Sequence, residues 1–319
     1  QIVVVDDGST DATASLARDA AAGDRRFAVM EAGALPAGWT GKSHACWCGA
    51  VAMQSQWLCF IDADTVARPA LLRSAVAVAA RRDIDLLSLE PRQELITAWE
   101  RLIIPAGLCA LGFAGDLRRT GDPGRAAAAA NGQFILVRRA TYERVGGHAA
   151  VRDEVAEDSA FAARVKAGGG RVALLDGATL VSARMYRTLP QLWEGLAKNV
   201  TETFGGVRAT AIVAALGLLL AWAAVAIPAA LALTLLPAGP SPLGAAAVGI
   251  AVLASLAVTG MHIAASRYFA IPCWYGVLFP IGYTLAALLA MDGISARRHG
   301  RIAWKGRIYS ASSGTAARR

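Results

Sequence analysis

Two carboxylates, separated by a single residue, stand at the end of an apolar segment in "WLCFIDAD". Asp62 and Asp64 follow this segment directly. In an extended chain, side chains two positions apart share a face, so both carboxylates can reach one hard cation. Magnesium is usually held by one or two carboxylates together with substrate phosphates. The pair therefore predicts a divalent-metal site for a phosphate-containing substrate; the alternative is a solvated turn whose aspartate caps the next helix.

A second pair of carboxylates ends another apolar segment, "IVVVDDGST". Asp6 and Asp7 follow a run of β-branched residues, which is typical of a parallel strand covered on both faces. In open parallel sheets, ligands bind in the crevice outside the carboxyl ends of the strands. Asp6 and Asp7 therefore stand where a ligand would be bound.

A third acidic position begins a predicted helix in "EDSAFAARVKAGGG". On that helix Asp158 shares a face with Phe161 and Val165, and this apolar face should be buried. Glu157 points about 100° away from Asp158. Asp158 is therefore a candidate for chemistry at the helix N-terminus. Its alternative is an N-cap carboxylate, which stabilises a helix by roughly 1 kcal/mol.

The elements that must position these carboxylates alternate between strand and helix. Such alternation predicts an α/β fold with a doubly wound, Rossmann-like, mostly parallel sheet. The strands are predicted at 2–5, 27–30, 57–61, 84–89, 133–139 and 171–175, and the helices at about 10–22, 43–54, 69–81, 158–167 and 189–204.

The second half of the chain is predicted to enter a membrane. No Asp, Glu, Lys or Arg occurs between Arg208 and Arg267, and a second uncharged run extends from Tyr268 to Met291. A membrane helix needs roughly 20 apolar residues, so the first run holds two spans and the second holds one. The transmembrane region is predicted over 206–296, with helices at about 209–236, 243–266 and 271–291.

Two further segments are predicted to lie at the membrane surface. The stretch "QELITAWERLIIPAGLCALGF" is apolar but is interrupted by Pro105 and Gly107, which predicts a broken pair of interfacial helices. The helix predicted at 189–204 is amphipathic and is expected to lie against the bilayer.

Positive charge is concentrated behind the last apolar run. Residues 292–319 hold seven Lys or Arg against a single acidic residue, Asp292. The basic balance therefore indicates a juxtamembrane tail over 297–319, and no motif for nucleic-acid binding occurs. Five cysteines without metal-site spacing are consistent with a reducing compartment.

Four stretches of the sequence together resemble family 2 glycosyltransferases of the GT-A fold. They are "VVVDDGSTD", "FIDAD", "NGQFILVRRATYERVGGH" and "EDSAFAARVKAGG", and the resemblance covers residues 1 to about 205. The stretches "ARMYRTLPQLWEGLAKN" and "WKGRIY" resemble the bacterial branch that glycosylates lipids, which includes hopanoid-associated and carotenoid-type enzymes. The resemblance implies transfer of a sugar from a nucleotide sugar, UDP-linked, to a lipid acceptor such as a hopanoid, carotenoid or polyprenyl compound.

The resemblance also implies a role for each acidic position. Asp6 and Asp7 would contact the base and ribose of the nucleotide sugar. Asp62 and Asp64 would hold its diphosphate through Mg²⁺ or Mn²⁺, which neutralises the leaving group. Asp158 would take the proton from the acceptor hydroxyl as it attacks the anomeric carbon, with inversion.

Several basic side chains are candidates for contacts with phosphate. Lys42 in "WTGKSHA" is a candidate for the donor diphosphate, with a solvated lysine as the alternative. Arg184 and Arg187 in "RMYR", and Lys305 and Arg307 in "WKGR", are candidates on the membrane side. Interfacial anchoring by basic and aromatic groups is the alternative for these four.

Three further polar residues are candidates for a functional or a structural role. Glu157 and His148 are candidates for the acceptor side, and a structural histidine is the alternative for His148. His262 is the one ionisable residue of the first uncharged run. A polar group in mid-membrane is often functional, but helix packing is the role expected for His262.

Two features depart from the family pattern. Processive synthases of the family carry a QxxRW motif, and the nearest stretch here is "PQLWEG", which favours transfer of a single sugar. The family also has a strand and a helix before "VVVDD", so the chain is interpreted as N-terminally truncated. Two other functions remain open. One is a catalytically silent membrane scaffold. The other is a nucleotidyltransferase, which would need no base at Asp158.

Two predictions about the membrane topology conflict with each other. Nucleotide sugars are cytoplasmic, so residues 1–205 are expected on the cytoplasmic side of the inner membrane. Three full spans would place 297–319 outside, whereas the positive-inside rule places this basic tail in the cytoplasm. One apolar segment is therefore predicted not to cross. The candidate is 271–291, which Pro272 and Pro280 interrupt, in a re-entrant or interfacial arrangement.

Overall fold

The computed structural model divides the chain into two compact units. The first consists of Gln1–Arg92 and Leu117–Ala183, and the second of Gln93–Asp116 and Arg184–Arg319. The catalytic-domain boundary near residue 205 stays a prediction. The structure describes residues 1–114, 128–154, 156–235, 241–299, 302–304 and 307–309, the last two ranges as backbone only.

The described strands and helices follow the predicted alternation. The strands are β1 (Ile2–Asp6), β2 (Phe27–Glu31), β3 (Trp57–Ile61), β4 (Thr65–Ala67), β5 (Leu86–Glu90), β6 (Arg92–Gln93), β7 (Phe134–Arg138), β8 (Val172–Asp176), β9 (Val181–Ala183), β10 (Ile302–Trp304) and β11 (Arg307–Tyr309). The helices are α1 (Thr13–Ala21), α2 (Gly41–Ala52), α3 (Leu71–Arg81), α4 (Ala98–Ala114), α5 (Arg139–Arg144), α6 (Glu157–Ala167), α7 (Leu189–Thr203), α8 (Val207–Leu235), α9 (Pro242–Tyr268) and α10 (Phe279–Arg298).

The main sheet of the first unit is mixed. Its order is β3-β7-β5-β8; β5 and β8 are parallel, and β7 is antiparallel to both β3 and β5. β1 and β2 form a separate parallel pair. Parallel neighbours need a crossover connection that packs back on the sheet. The helix between β5 and β7 is α4, which belongs to the second unit. Two strand pairs are therefore parallel, and β7 is the antiparallel strand of a main sheet that was predicted to be mostly parallel.

The main sheet is buried on both faces, as its apolar runs predict. Leu86 packs in one core cluster with Phe161 and Val165 of α6, and Leu87 packs in a second with Leu71 of α3. Alternate side chains of a strand point to opposite faces, so helices cover both sides of β5. This core holds the strand ends, and thus the residues that follow them, in fixed positions.

Two helix starts differ from the sequence prediction for local reasons. α2 begins at Gly41, because Thr40 is its N-cap and accepts a hydrogen bond from the Ser43 amide at 3.3 Å. α1 begins at Thr13, three residues later than predicted, because the carboxylate of Asp11 accepts the Thr13 amide at 3.0 Å and forms a turn before the helix.

The predicted break in the α4 segment is wrong. α4 is a single helix that continues through Pro105. Thr97 and Glu100 form a capping box at its start: the Glu100 amide donates to Thr97 Oγ1 at 3.3 Å, and the Thr97 amide donates to Glu100 Oε2 at 2.5 Å. Ile103 and Ile104, just before the proline, and Ala106, just after it, are buried and stabilise the helix around Pro105.

Among the residues that the structure describes, three helices of the second unit are long and apolar enough to cross a membrane: α8, α9 and α10. α8 and α9 agree with the predicted spans. The third segment differs, because a short 3-10 turn over Cys273–Gly276 comes first and α10 then extends to Arg298. In the most apolar stretch of α10, 44% of the residues are buried inside the protein, against 11% in α8 and 0% in α9.

The helix α10 begins part way along α8 and ends beside α7. Near its start, the Trp222 indole N–H of α8 donates to Thr284 Oγ1 at 3.0 Å. Near its end, the Trp193 indole N–H of α7 donates to Asp292 at 2.9 Å, and Arg297 pairs with Glu202. Trp222 lies about 22 Å along α8 from its first residue, at 1.5 Å per residue. α10 therefore runs back toward the end of the unit where α8 begins.

Candidate active site

One edge of the main sheet carries acidic residues at the ends of three strands. Asp62 and Asp64 follow β3, and Glu90 and Asp176 are the last residues of β5 and β8. Because β7 is antiparallel, its first residue lies at this same edge, with Phe134 opposite Ile61. The chain before β7 therefore meets the ends of the other three strands.

Lys42 is held between two carboxylates of this edge. Its Nζ lies 2.9 Å from Asp62 Oδ1 and 2.9 Å from Glu157 Oε1. Burial alone would lower the pKa of the Lys42 ammonium, but the charges of Glu157 and Asp62 outweigh burial and raise that pKa well above its usual value. Lys42 is therefore a paired cation, although 41% of its side chain is exposed. The same contact places Glu157 in this cluster.

Asp158 is buried against the turn that precedes β7. Its Oδ2 accepts a hydrogen bond from the Gly132 amide at 2.8 Å, and its Oδ1 accepts one from the Ser159 amide at 2.7 Å. The N-cap of α6 is Ala156, without a side-chain hydrogen bond, so Asp158 is not the N-cap of the helix. Burial, and then the charge of Glu157, raise the pKa of Asp158 to about 6.

Gly132 allows the cation and this carboxylate to approach each other. A Cβ at this position would lie 2.8 Å from Lys42 Nζ and 3.2 Å from Asp158 Oδ2. Any side chain would therefore displace one of the two charged groups. The glycine keeps the ammonium, the buried carboxylate and the end of β3 within one small volume.

Asp62 and Asp64 have the chemistry of a site for a hard divalent cation. Asp64 is exposed and Asp62 is half-buried, and burial raises the pKa of Asp62 although Lys42 opposes it. Within the described ranges, no group of three or more His, Cys, Asp or Glu is placed to hold a metal by itself. Two carboxylates suit Mg²⁺ or Mn²⁺ when substrate phosphates supply further oxygen ligands. The donor set therefore fits a metal that binds together with a diphosphate.

The aspartates after β1 differ in their surroundings. The Asp6 carboxylate accepts a hydrogen bond from the Ser9 amide at 3.2 Å and another from the Ser9 hydroxyl, which ties it into the turn after the strand. Gly8 has φ +78° in this turn, a conformation that glycine adopts without strain. Asp7 is half-buried. Both therefore stand at the carboxyl end of β1, as predicted.

His148 has the surroundings of a structural histidine. It is 3% exposed, its Nδ1 lies 3.0 Å from the Tyr142 hydroxyl, and its ring stacks on Phe161 at 5.2 Å between centroids. Burial lowers the pKa of His148 to about 4, so the ring is neutral. The structural alternative for this residue agrees with all of these contacts.

The basic residues predicted on the membrane side belong to the second unit. Arg184 Nε donates to Glu100 Oε1 at 3.3 Å, so it pairs with the capping residue of α4. Arg187 is exposed, and its backbone amide donates to Gln191 at 3.2 Å. Arg307 lies on β11, which pairs antiparallel with β10, and Lys305 lies outside the described residues.

Sequence reasoning missed Glu90 and Asn131. Glu90 ends β5 at the site edge, and the Asn131 side-chain amide donates to its Oε1 at 3.1 Å. The signal that identified Asp62, an acid at the end of a buried strand, is also present in "LLSLE". For Asn131 the sequence carries no such signal, because its importance depends on a contact with a residue 41 positions away.

Comparisons with known proteins agree with this geometry. The sequence profile described as Glycosyl transferase family 2 matches residues 1–142. The curated 4,4'-diaponeurosporenoate glycosyltransferase of Staphylococcus aureus is 27% identical over 219 residues. That match covers 65% of this chain and 55% of the relative, so the chain spans about half the length of this relative.

Solved structures show a similar fold. A mannosyltransferase from Pyrobaculum calidifontis, in complex with GDP-Man and Mn²⁺, has a TM-score of 0.50 and 18% identity, over 93% of this chain and 77% of that one. Glucosyl-3-phosphoglycerate synthase from Mycobacterium tuberculosis, in complex with Mn²⁺ and UDP-glucose, has a TM-score of 0.39 and 17% identity, over 64% of this chain and 67% of that one. The first of these structures shows that the fold is GT-A, and over residues 1–142 the chain is similar to family 2 glycosyltransferases.

Proposed function

We propose that this protein transfers a single sugar from a nucleotide sugar to a lipid acceptor at a membrane. The observation that carries the proposal is the arrangement at one sheet edge: two carboxylates, Asp62 and Asp64, follow one strand, and a buried carboxylate, Asp158, is bound to the turn beside them. A group that binds the leaving diphosphate and a group that accepts a proton are the two requirements of sugar transfer to a hydroxyl.

Asp158 is the general base of the proposed reaction. With its pKa raised to about 6, it is ionised at neutral pH and is still basic enough to accept a proton as the acceptor oxygen attacks. The amides of Gly132 and Ser159 fix the direction of its carboxylate. Attack from the side opposite to the leaving diphosphate gives inversion at the anomeric carbon.

Lys42, Asp62 and Asp64 are proposed to hold the donor diphosphate. A bound Mg²⁺ or Mn²⁺ would neutralise the charge that develops on the leaving group. The ammonium of Lys42, now paired with Asp62 and Glu157, supplies a further positive charge close to that position. Asp6 and Asp7 are proposed to contact the base and ribose, and the donor is proposed to be a UDP-sugar.

The lipid acceptor is proposed on two grounds. The curated relative is named for a carotenoid substrate, diaponeurosporenoate. The second unit has three helices of membrane-spanning length and apolarity. A hopanoid, carotenoid or polyprenyl compound would reach the site from the bilayer, and the enzyme would reside in the inner membrane with its catalytic unit in the cytoplasm.

The membrane topology is proposed to consist of two crossings and one re-entrant segment. α8 and α9 cross as an antiparallel pair, and α10 begins part way along α8 and returns to α7. Its greater burial agrees with this, because a segment that does not span is tolerated where protein covers it. This arrangement leaves the basic tail over 297–319 on the same side as α7, as the positive-inside rule requires.

The test uses membranes that contain the full-length protein, Mn²⁺, lipid extract and one of four donors: UDP-glucose, UDP-galactose, UDP-N-acetylglucosamine or GDP-mannose. We expect release of a nucleoside diphosphate and a lipid whose mass increases by one sugar. Release of pyrophosphate would instead identify a nucleotidyltransferase. Absence of turnover with every donor, in a protein that still binds nucleoside diphosphate, would identify a silent scaffold.

A further inference from the structure

Glu90 is a carboxylate of the site edge that the proposed mechanism does not use. It is the last residue of β5, which lies between β7 and β8 in the main sheet, and it is half-buried. Burial raises the pKa of Glu90, and the charges of Asp176 and Asp158 raise it further. An acidic side chain in such a position weakens the fold unless its polar atoms have partners, so its presence needs an explanation.

Asn131 holds one oxygen of this carboxylate rigidly. Its side-chain N–H donates to Glu90 Oε1 at 3.1 Å, and its own Oδ1 accepts the Gln133 amide at 2.9 Å. The backbone amide of Asn131 also donates to Ser88 Oγ at 2.8 Å. The Ser88 hydroxyl in turn donates to the backbone carbonyl of Asn131 at 3.1 Å. Both ends of the asparagine side chain are therefore fixed, and the turn is bound to β5.

The same turn orients Glu90 and the proposed base. Asn131 contacts Glu90, and the next residue, Gly132, donates its amide to Asp158. The two carboxylates are thus held by adjacent residues. We therefore expect a reactant that meets Asp158 to lie close to Glu90 as well.

The second oxygen of Glu90 is the one left for a ligand. Asn131 takes Oε1, and among the residues that the structure describes no donor is bonded to Oε2. Asp176, the next carboxylate along the edge, is different: it is exposed, and its Oδ1 accepts the Ala178 amide at 2.8 Å in the turn after β8. Asp176 therefore has a local structural role that Glu90 lacks.

We propose that Glu90 is a specificity-determining residue whose carboxylate accepts a hydrogen bond from a hydroxyl of the transferred sugar. A carboxylate repels the diphosphate but suits a sugar hydroxyl, which is a neutral donor. The position beside Asp158 suits the sugar, because its anomeric carbon must lie next to the base-activated acceptor oxygen. This inference rests on the proposed function, since it names a contact to the donor of that same reaction.

The experiment measures binding and does not depend on turnover. Isothermal titration in the presence of Mn²⁺ compares UDP with UDP-glucose, for wild-type protein, Glu90→Ala, Glu90→Gln and the control Asp176→Asn. We expect the affinity for UDP to stay within about twofold in every variant. The affinity for UDP-glucose should fall about 10- to 100-fold in Glu90→Ala, the range for a hydrogen bond to a charged group, and less in Glu90→Gln. Asp176→Asn should bind both ligands as the wild type does.

Deoxy analogues of the nucleotide sugar identify the sugar hydroxyl that Glu90 binds. For one of the 2-, 3-, 4- and 6-deoxy analogues of UDP-glucose, the wild type should lose about 10- to 100-fold in affinity while Glu90→Ala loses nothing further. If the wild type and Glu90→Ala lost the same affinity for each of the four analogues, the inference would be overturned. The proposed function would remain intact. If another donor supports turnover, its deoxy series replaces that of glucose. If the wild type binds no nucleotide sugar, the proposed function itself fails, and the inference fails with it.

Discussion

At the scale of single residues, the site depends on charges that the fold holds close together. Asp158 is bound by two amides, and its burial raises its pKa to about 6. A base must be ionised to act, so the raised pKa of this proposed base is expected to set the lower pH limit of activity. We expect kcat to be constant above pH 7 and to fall about tenfold per pH unit below pH 6.

Replacement of the base separates binding from turnover. Asp158→Asn keeps the shape and removes the basic group, so turnover should fall about 10²- to 10⁴-fold, and the remaining activity should lose its acidic limb. Affinity for the nucleotide sugar should persist. The measurements are a pH–rate profile and a titration. Near-normal turnover in Asp158→Asn would show that Asp158 has only a structural role.

Replacement of the exposed aspartate tests the metal site. In Asp64→Ala, the Mn²⁺-dependent part of UDP affinity should disappear, because Asp62 is already paired with Lys42 and no other predicted ligand takes over. Titration of UDP with and without Mn²⁺ measures this, and Asp176→Asn serves as the control carboxylate. An unchanged metal dependence in Asp64→Ala would contradict the assignment.

The sequence predicts these residues to the extent that they follow regular strands. Asp6, Asp62 and Asp64 were found because an apolar run ends directly before them. The ion pairs of Lys42 and the contact between Asn131 and Glu90 join residues far apart in the chain. Periodicity describes one element at a time, so it carries no information on such contacts.

At the scale of secondary structure, the turn before β7 is the element that brings the site together. Its Gly132 lies where a Cβ would be 2.8 Å from Lys42 Nζ. In Gly132→Ala, the ammonium or the Asp158 carboxylate must move, so kcat should fall at least tenfold. A displacement of about 1 Å can cost a factor of 10² in rate.

The matched control is Gly107→Ala in α4. A Cβ there would have nothing within 4 Å, and alanine is the better helix former. Its activity should stay normal and its melting temperature should not fall. If Gly132→Ala also kept normal turnover, the close approach would have no catalytic importance.

The element predictions failed where tertiary packing decides the outcome. Pro105 and Gly107 predicted a break, but the capping box and the buried Ile103 and Ile104 maintain one helix. The mostly parallel prediction does not identify β7 as the antiparallel strand, because an alternation of strands and helices does not show which unit the intervening helix joins. By contrast, β1, β3 and α8, whose patterns are long or strongly apolar, begin within two residues of their predicted starts.

At the scale of the whole molecule, the direction of α10 decides where the basic tail lies. A cysteine at Ser312, in a protein whose native cysteines have been replaced, should resist a membrane-impermeant thiol reagent in intact cells and react after lysis. A cysteine at Ala238, between α8 and α9, is the control and should react in both. Labelling at position 312 before lysis would mean three true crossings.

The packing of α10 also has a consequence for the order of assembly during synthesis. Its partners are not its sequence neighbours alone: Gly282 allows the backbone of α10 to approach the Leu102 carbonyl of α4, and Asp292 bonds to Trp193 of α7. In the topology proposed above, α8 and α9 enter the bilayer as a hairpin as soon as the ribosome has released them. α10 cannot pack until its partners α4 and α7, which are synthesised much earlier, have folded. Contacts between such distant parts of the chain form slowly. Maturation of the second unit therefore ends with its last helix, after insertion of the hairpin, and a chain interrupted before residue 279 leaves α4 and α7 without the surface that covers them.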